Sequence, residues 1–162
     1  MKDFTFYGGD FWSYAETCTA IKKFGVQPEP NPAEHMKQRV QEIIDRCLTR
    51  YRPAAGELEL KGIFLYREQD QPGDLKQTFG HTQDIDNGQA IIGLSYGLFQ
   101  YDMPVFHDLV FLHECCHLAE MDHGEEFQNR FNEVEFDYYF YHDIHMDGKE
   151  ARAKPNRKGW TM

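Results

Sequence analysis

The chain has 162 residues, 41% hydrophobic and 15% aromatic, with 17 Lys and Arg against 27 Asp and Glu. A formal net charge of −10 repels phosphate backbones and argues against general duplex binding. The length suits one domain that buries a core without disulfides, and no apolar run approaches the ~18 residues of a membrane span.

The opening MKDFTFYGGDFWSYAE lacks the continuous apolar stretch of a signal peptide. With four cysteines and no export signal, the expectation is a cytoplasmic protein with reduced thiols. Asp10 to Phe24 reads as a first helix, capped by Asp10 and stopped at Gly25. After the stiff connector Gln27 to Pro32, a second helix is expected with Asn31 as cap, Pro32 at its first position and Glu34 completing a capping box. Its apolar positions, Met36, Val40, Ile43, Ile44, Cys47, Leu48 and Tyr51, recur in steps of three and four. Arg52 to Gly56 ends it.

Glu57 to Glu68 alternates like a strand, with Leu58, Leu60, Phe64 and Tyr66 on one face. Leu75 to Thr82 is a second candidate strand. Asp86-Asn87-Gly88 is a turn signal, and Gln89 to Gln100 a third strand. Three strands in meander order predict a small, mainly antiparallel sheet. Pro104 to about Met121 has a helical period, with proline where the first turn tolerates it. After Gly124 a further helix carries Phe127, Phe131, Val134 and Tyr138 on one stripe. From Gly148 five bases (Lys149, Arg152, Lys154, Arg157, Lys158) and few core formers suggest a basic tail. The expected organisation is an α+β domain over residues 1–147, several helices packed on a three-stranded sheet, followed by a tail over 148–162.

The chemistry concentrates in HECCHLAEMDHGEEF, His113 to Phe127. His113 and His117 are four apart, one helical turn plus about 40°, so both imidazoles project from one face and can share an ion. Glu114 lies about 100° round from His113, poorly placed to bind the same ion and well placed to take a proton from a water on its open side. A catalytic zinc site needs three protein ligands and one open position. His123 is the candidate third ligand, provided that the helix ends near Met121 and the chain swings back, a reversal Gly124 would ease. Glu120, Asp122, or one of Glu133, Glu135 and Asp137 on the following helix are alternatives. Cys115 and Cys116 point away from the histidines and read as buried thiols. His142 and His145 with Asp143 and Asp147 form a second, surface cluster of ligand types. His81 is a candidate for lining the cleft, and His142, Tyr138, Tyr139 or Tyr141 for stabilising an oxyanion.

These residues resemble the H-E-x-x-H-x5-H-G-x-x-F signature of the SprT-like and YgjP-like zinc metallopeptidases. Upstream, Ile91 to Phe99 followed by the motif helix is similar to their strand-then-helix arrangement, while the Gly-polar-Cys segment that the family often has before its last strand is missing, with only Phe79-Gly80-His81-Thr82 there. The resemblance covers roughly Phe79 to Phe131. It implies that His113, His117 and His123 bind Zn²⁺ and that Glu114 is the general base. It also implies a minimal zincin-like domain that binds a protein or peptide substrate along an edge strand within Ile91 to Phe99.

Two other classes use the same residues: a zinc-binding module without peptidase activity, and a zinc hydrolase or amidase acting on a non-protein substrate. A protease acting on nucleic-acid-bound proteins would draw on the basic tail alone.

Overall fold

The structure, a computed structural model, describes residues 28–48, 56–71 and 73–141; the helix expected over 10–24, the tail from 148 and the cluster at His142 and His145 lie outside them. The order is α1 (Glu34–Leu48), β1 (Glu59–Tyr66), β2 (Gly80–Asp86), β3 (Gln89–Ser95), α2 (Pro104–Cys116) and α3 (Glu125–Tyr141). Short 3₁₀ turns at Glu68–Asp70, Gly73–Gln77 and Tyr96–Gln100 complete the chain. The protein is α+β, as its periodicities predict.

Helix α1 buries Met36, Val40, Ile43, Ile44, Cys47 and Leu48, the stripe read from the sequence. It opens later than the Asn31 cap predicts: the Lys37 amide bonds the Ala33 carbonyl at 3.1 Å, so Ala33 holds the cap position.

The sheet corrects the expected meander. Its order is β1-β3-β2, with β1 parallel to β3 and β2 antiparallel to β3. A parallel pair needs a crossover, and here residues 67–88, the 3₁₀ turns and β2 included, supply it. Burial explains the order. Ala90, Ile91, Ile92 and Leu94 of β3 are all fully buried, as a strand covered on both faces must be. The polar Gly80–Asp86 segment, GHTQDID, takes an outer position. The segment expected to be an edge strand, Ile91 to Phe99, is therefore central up to Ser95, and among the described residues the sheet's edges are β1, bridged at its end where Pro28 pairs with Tyr66, and β2. The second strand begins at Gly80 rather than Leu75, because Gly73–Gln77 coils into a 3₁₀ turn. The third ends at Ser95, whose hydroxyl accepts the Leu98 amide at 3.2 Å and starts another. The β2–β3 hairpin turns at Asn87 and Gly88, with φ of 57° and 75°, the left-handed pair that two-residue hairpins favour.

Helix α2 is mostly apolar and buried all round, with His107, Asp108, His113 and Glu114 as its buried polar residues. Every residue from Phe106 to Cys116 is buried, and the helix packs against α1, α3, β2 and β3, the setting that such a helix requires. One buried carboxylate joins the three helices. Asp108 of α2, with a side chain that is 0% exposed, accepts two bonds of 2.8 Å from the Arg46 guanidinium of α1 and one of 2.6 Å from the Tyr138 hydroxyl of α3. The other face of the sheet carries a smaller cluster of Phe64, Tyr66 and Ile91. Among the described residues no helix is long and apolar enough to cross a membrane.

Candidate metal centre

Helix α2 ends earlier than expected, at Cys116, and tightens into i→i+3 bonds: Leu118 N to Cys115 O at 3.0 Å and Ala119 N to Cys116 O at 3.2 Å. The Leu118 carbonyl then accepts the Leu58 amide at 2.9 Å, which ties the helix end to the chain entering β1. This tightening starts the reversal that the third ligand demands. Gly124 has neither a left-handed φ nor anything within 4 Å of a built Cβ, so its freedom is not what turns the chain. Instead its carbonyl accepts the Gln128 amide at 3.0 Å, opening α3.

The reversal brings His123 back over the helix. Its Nε2 lies 3.2 Å from His113 Nε2 and 3.0 Å from His117 Nε2. His113 and His117 are buried, His123 is exposed, and the three ligand atoms lie within 4.8 Å of one another. This trio could hold a metal ion, and no other such group occurs among the described residues. Glu120, Asp122, Glu133, Glu135 and Asp137 stay outside it. Glu120 contributes only its carbonyl, which accepts from His117 Nδ1 at 2.9 Å. Hydrogen bonding to Glu126 raises the pKa of its own carboxyl.

The protonation pattern fits a cation. A carbonyl can only accept, so His117 carries its proton on Nδ1 and presents a bare lone pair at Nε2. One proton on His123 Nε2 cannot lie on the lines to both neighbours. A single ion can accept all three lone pairs, and tetrahedral Zn–N bonds of about 2.0–2.1 Å put nitrogens about 3.3 Å apart, close to the observed spacings.

Phe127, the last residue of the motif, forms the wall behind the rings. It stacks on His117 at 4.4 Å between centroids and 20° between planes, and meets His113 edge-on at 4.8 Å and His123 at 5.1 Å. Phe131 adds a contact to His113 at 5.4 Å. Sequence periodicity placed both on a core stripe without revealing that the stripe faces the ligands. Hydrogen-bonding groups that orient metal-binding histidines typically contribute about 10–100-fold in affinity, which sets an upper bound for a ring that orients them by packing alone. Phe127→Ala should lower zinc affinity by up to that factor in a competitive chelator titration, with Phe127→Leu intermediate; unchanged affinity in both would show that the rings hold themselves.

Glu114 is 2% exposed, and burial raises its carboxyl pKa to about 8, opposed by a hydrogen bond from Thr82. The Thr82 hydroxyl on β2 lies 2.9 Å from Glu114 Oε1. Thr82 is a site residue that sequence reasoning missed; its only signal is the alternation that puts Gly80 and Thr82 on one strand face. Cys115 and Cys116 are buried thiols, as expected, and burial pushes Cys116 up to about 12. Tyr138 is committed to Asp108 rather than to the site.

His81 is not in the cleft. Strand alternation turns it to the opposite face from Thr82, where its ring lies 4.8 Å from Tyr66 and 5.6 Å from Phe64. Gln83 donates to its Nδ1 at 3.1 Å, while its buried Nε2 has no hydrogen-bond partner. Burial lowers its pKa from 6.5 to about 4. The unfolded chain then takes up this proton as pH falls below about 6.5, whereas the folded chain resists until about 4. Taken alone, His81 therefore contributes a loss of about 3 kcal/mol as pH falls across that window, against which the raised carboxyl of Glu114 works in the opposite sense. Chemical denaturation at several pH values should show this loss shrinking in His81→Gln; an identical slope in both proteins would contradict it.

Comparisons of the chain with protein-family models, curated proteins and solved structures find no match. Function has to be argued from the site.

Proposed function

We propose that this chain is a zinc-dependent metallopeptidase of the kind its motif resembles, the SprT-like and YgjP-like enzymes. The observation that carries the reading is the convergence of His113, His117 and His123 on one point, with the buried Glu114 next in sequence to the first of them. Three neutral imidazoles favour zinc over the oxygen-seeking magnesium and calcium. A zinc ion held there supplies Lewis acidity, lowering the pKa of water towards ~7 and polarising a carbonyl.

The chain's own groups do the rest. Glu114 takes a proton from the attacking water and returns it to the leaving amine, acting as base and then as acid. A structural zinc module has no use for a carboxylate there. The free edge of β2 lies beside Glu114 and offers backbone groups to an extended protein or peptide substrate. Buried thiols at Cys47, Cys115 and Cys116 suit a reducing, cytoplasmic setting.

The test pairs metal removal with Glu114→Gln on an unfolded protein substrate. Chelation should abolish turnover and zinc should restore it, whereas the variant should lose turnover with its zinc retained. A zinc-loaded wild type that cleaves no peptide bond would overturn the reading.

A further inference from the structure

Two residues of β2 converge on the Glu114 side chain from the strand face turned towards α2. At Thr82 the hydroxyl reaches Glu114 twice, at 2.9 Å from the carboxylate Oε1 and 2.9 Å from the backbone carbonyl. It has one proton to give, and the Oε1 and carbonyl oxygens of the same residue share it, so either way the hydroxyl is held against Glu114. At Gly80 the missing side chain is what makes room. A Cβ there would come within 3.2 Å of Glu114 Cγ and 3.2 Å of the Gly93 carbonyl. Residues two apart on a strand share a face, so a hook and a gap act together on one carboxylate. Among the described residues Thr82 is the one side-chain donor on Oε1. An unanchored Glu side chain would be free to sample several rotamers.

We propose that Thr82 is a positioning residue, holding the Glu114 carboxylate in its working orientation while Gly80 provides the space for it. This rests on the reading of Glu114 as the general base. It extends that reading from the motif helix to β2, outside the metal-binding motif.

The experiment uses the full chain, zinc-loaded and zinc-stripped, in four forms: wild type, Thr82→Val, Thr82→Ser and Gly80→Ala. The first readout is infrared difference spectroscopy, with the Glu114 carboxyl band identified as the one lost in Glu114→Gln. That band should shift in Thr82→Val and in Gly80→Ala and return in Thr82→Ser. The second is kinetics on a peptide substrate: Thr82→Val should lose tenfold or more in kcat with KM and zinc content unchanged, and Thr82→Ser should recover most of the loss.

A band unmoved in Thr82→Val, or kcat within twofold of wild type, overturns the proposal. If Thr82→Val does not fold, the Gly80→Ala band decides in its place. A shifted band in a protein that turns over no peptide in any form would sink the peptidase reading and leave the positioning intact.

Discussion

On the proposed peptidase reading, replacing Glu114 with glutamine should reduce turnover by about 10²–10⁴-fold, the usual worth of a general acid–base group, while leaving the zinc content of the loaded chain unchanged. The amide has the carboxylate's shape and still accepts the Thr82 hydroxyl, but it cannot take a proton at neutral pH. Glu114 is 2% exposed, and burial raises its carboxyl pKa to about 8. Without an ion, glutamine therefore replaces a largely protonated, neutral carboxyl with another neutral group, and the variant should melt close to wild type. Zinc content by elemental analysis, thermal unfolding and peptide cleavage check the three parts separately. Cleavage within tenfold of wild type would remove Glu114 from the mechanism. Lost zinc would make it part of the ion's binding site instead.

The largest effect on folding is expected at Asp108. Asp108→Ala leaves a Tyr138 hydroxyl and one side of the Arg46 guanidinium facing an emptied buried site. Breaking a buried ion pair from one side typically costs about 3–5 kcal/mol. The Arg46 side chain is 32% exposed and has Glu42 at 3.9 Å as a second partner, so the lower end of that range applies. For a chain of this size about 3 kcal/mol lowers the melting temperature by roughly 10 °C. Asp108→Asn, which keeps an acceptor for Tyr138, should cost less. Removing Arg46 and Asp108 together should cost less than the sum of the single losses. Denaturant titration of the zinc-stripped chain measures all of this without interference from the ion. A change below about 1 kcal/mol in Asp108→Ala would mean that apolar packing alone holds the three helices.

How much of this was legible follows from how local each feature is. Helix α1 and the stretch from Pro104 onward repeat their apolar residues within single turns, so position along the chain was enough to find them. The pairing of His113 with His117 was equally legible, because a spacing of four on a helix fixes direction, whereas the return of His123 to them depends on how the chain leaves the helix. The parallel pairing of β1 with β3 joins residues about thirty apart and depends on which strand is covered on both faces. The unbroken apolar run of β3 against the polar β2 was the available signal, and strand order in the sequence overrode it. Thr82 was illegible for a similar reason: its partner, Glu114, lies thirty-two residues away on another element. Gly124 was noticed for the wrong reason, since the reversal comes from the tightened end of α2.

The three imidazoles are unevenly sheltered: two sit in the protein's interior on α2, while His123 stands in solvent on the connecting turn. That arrangement makes the turn a latch. An ion held by all three would close a loop of eleven residues from His113 to His123. Every tenfold rise in free ion above the dissociation constant then adds about 1.4 kcal/mol to the closed form. With such an ion bound, the resistance of this corner to heat or proteolysis would become a gauge of how much metal its surroundings hold.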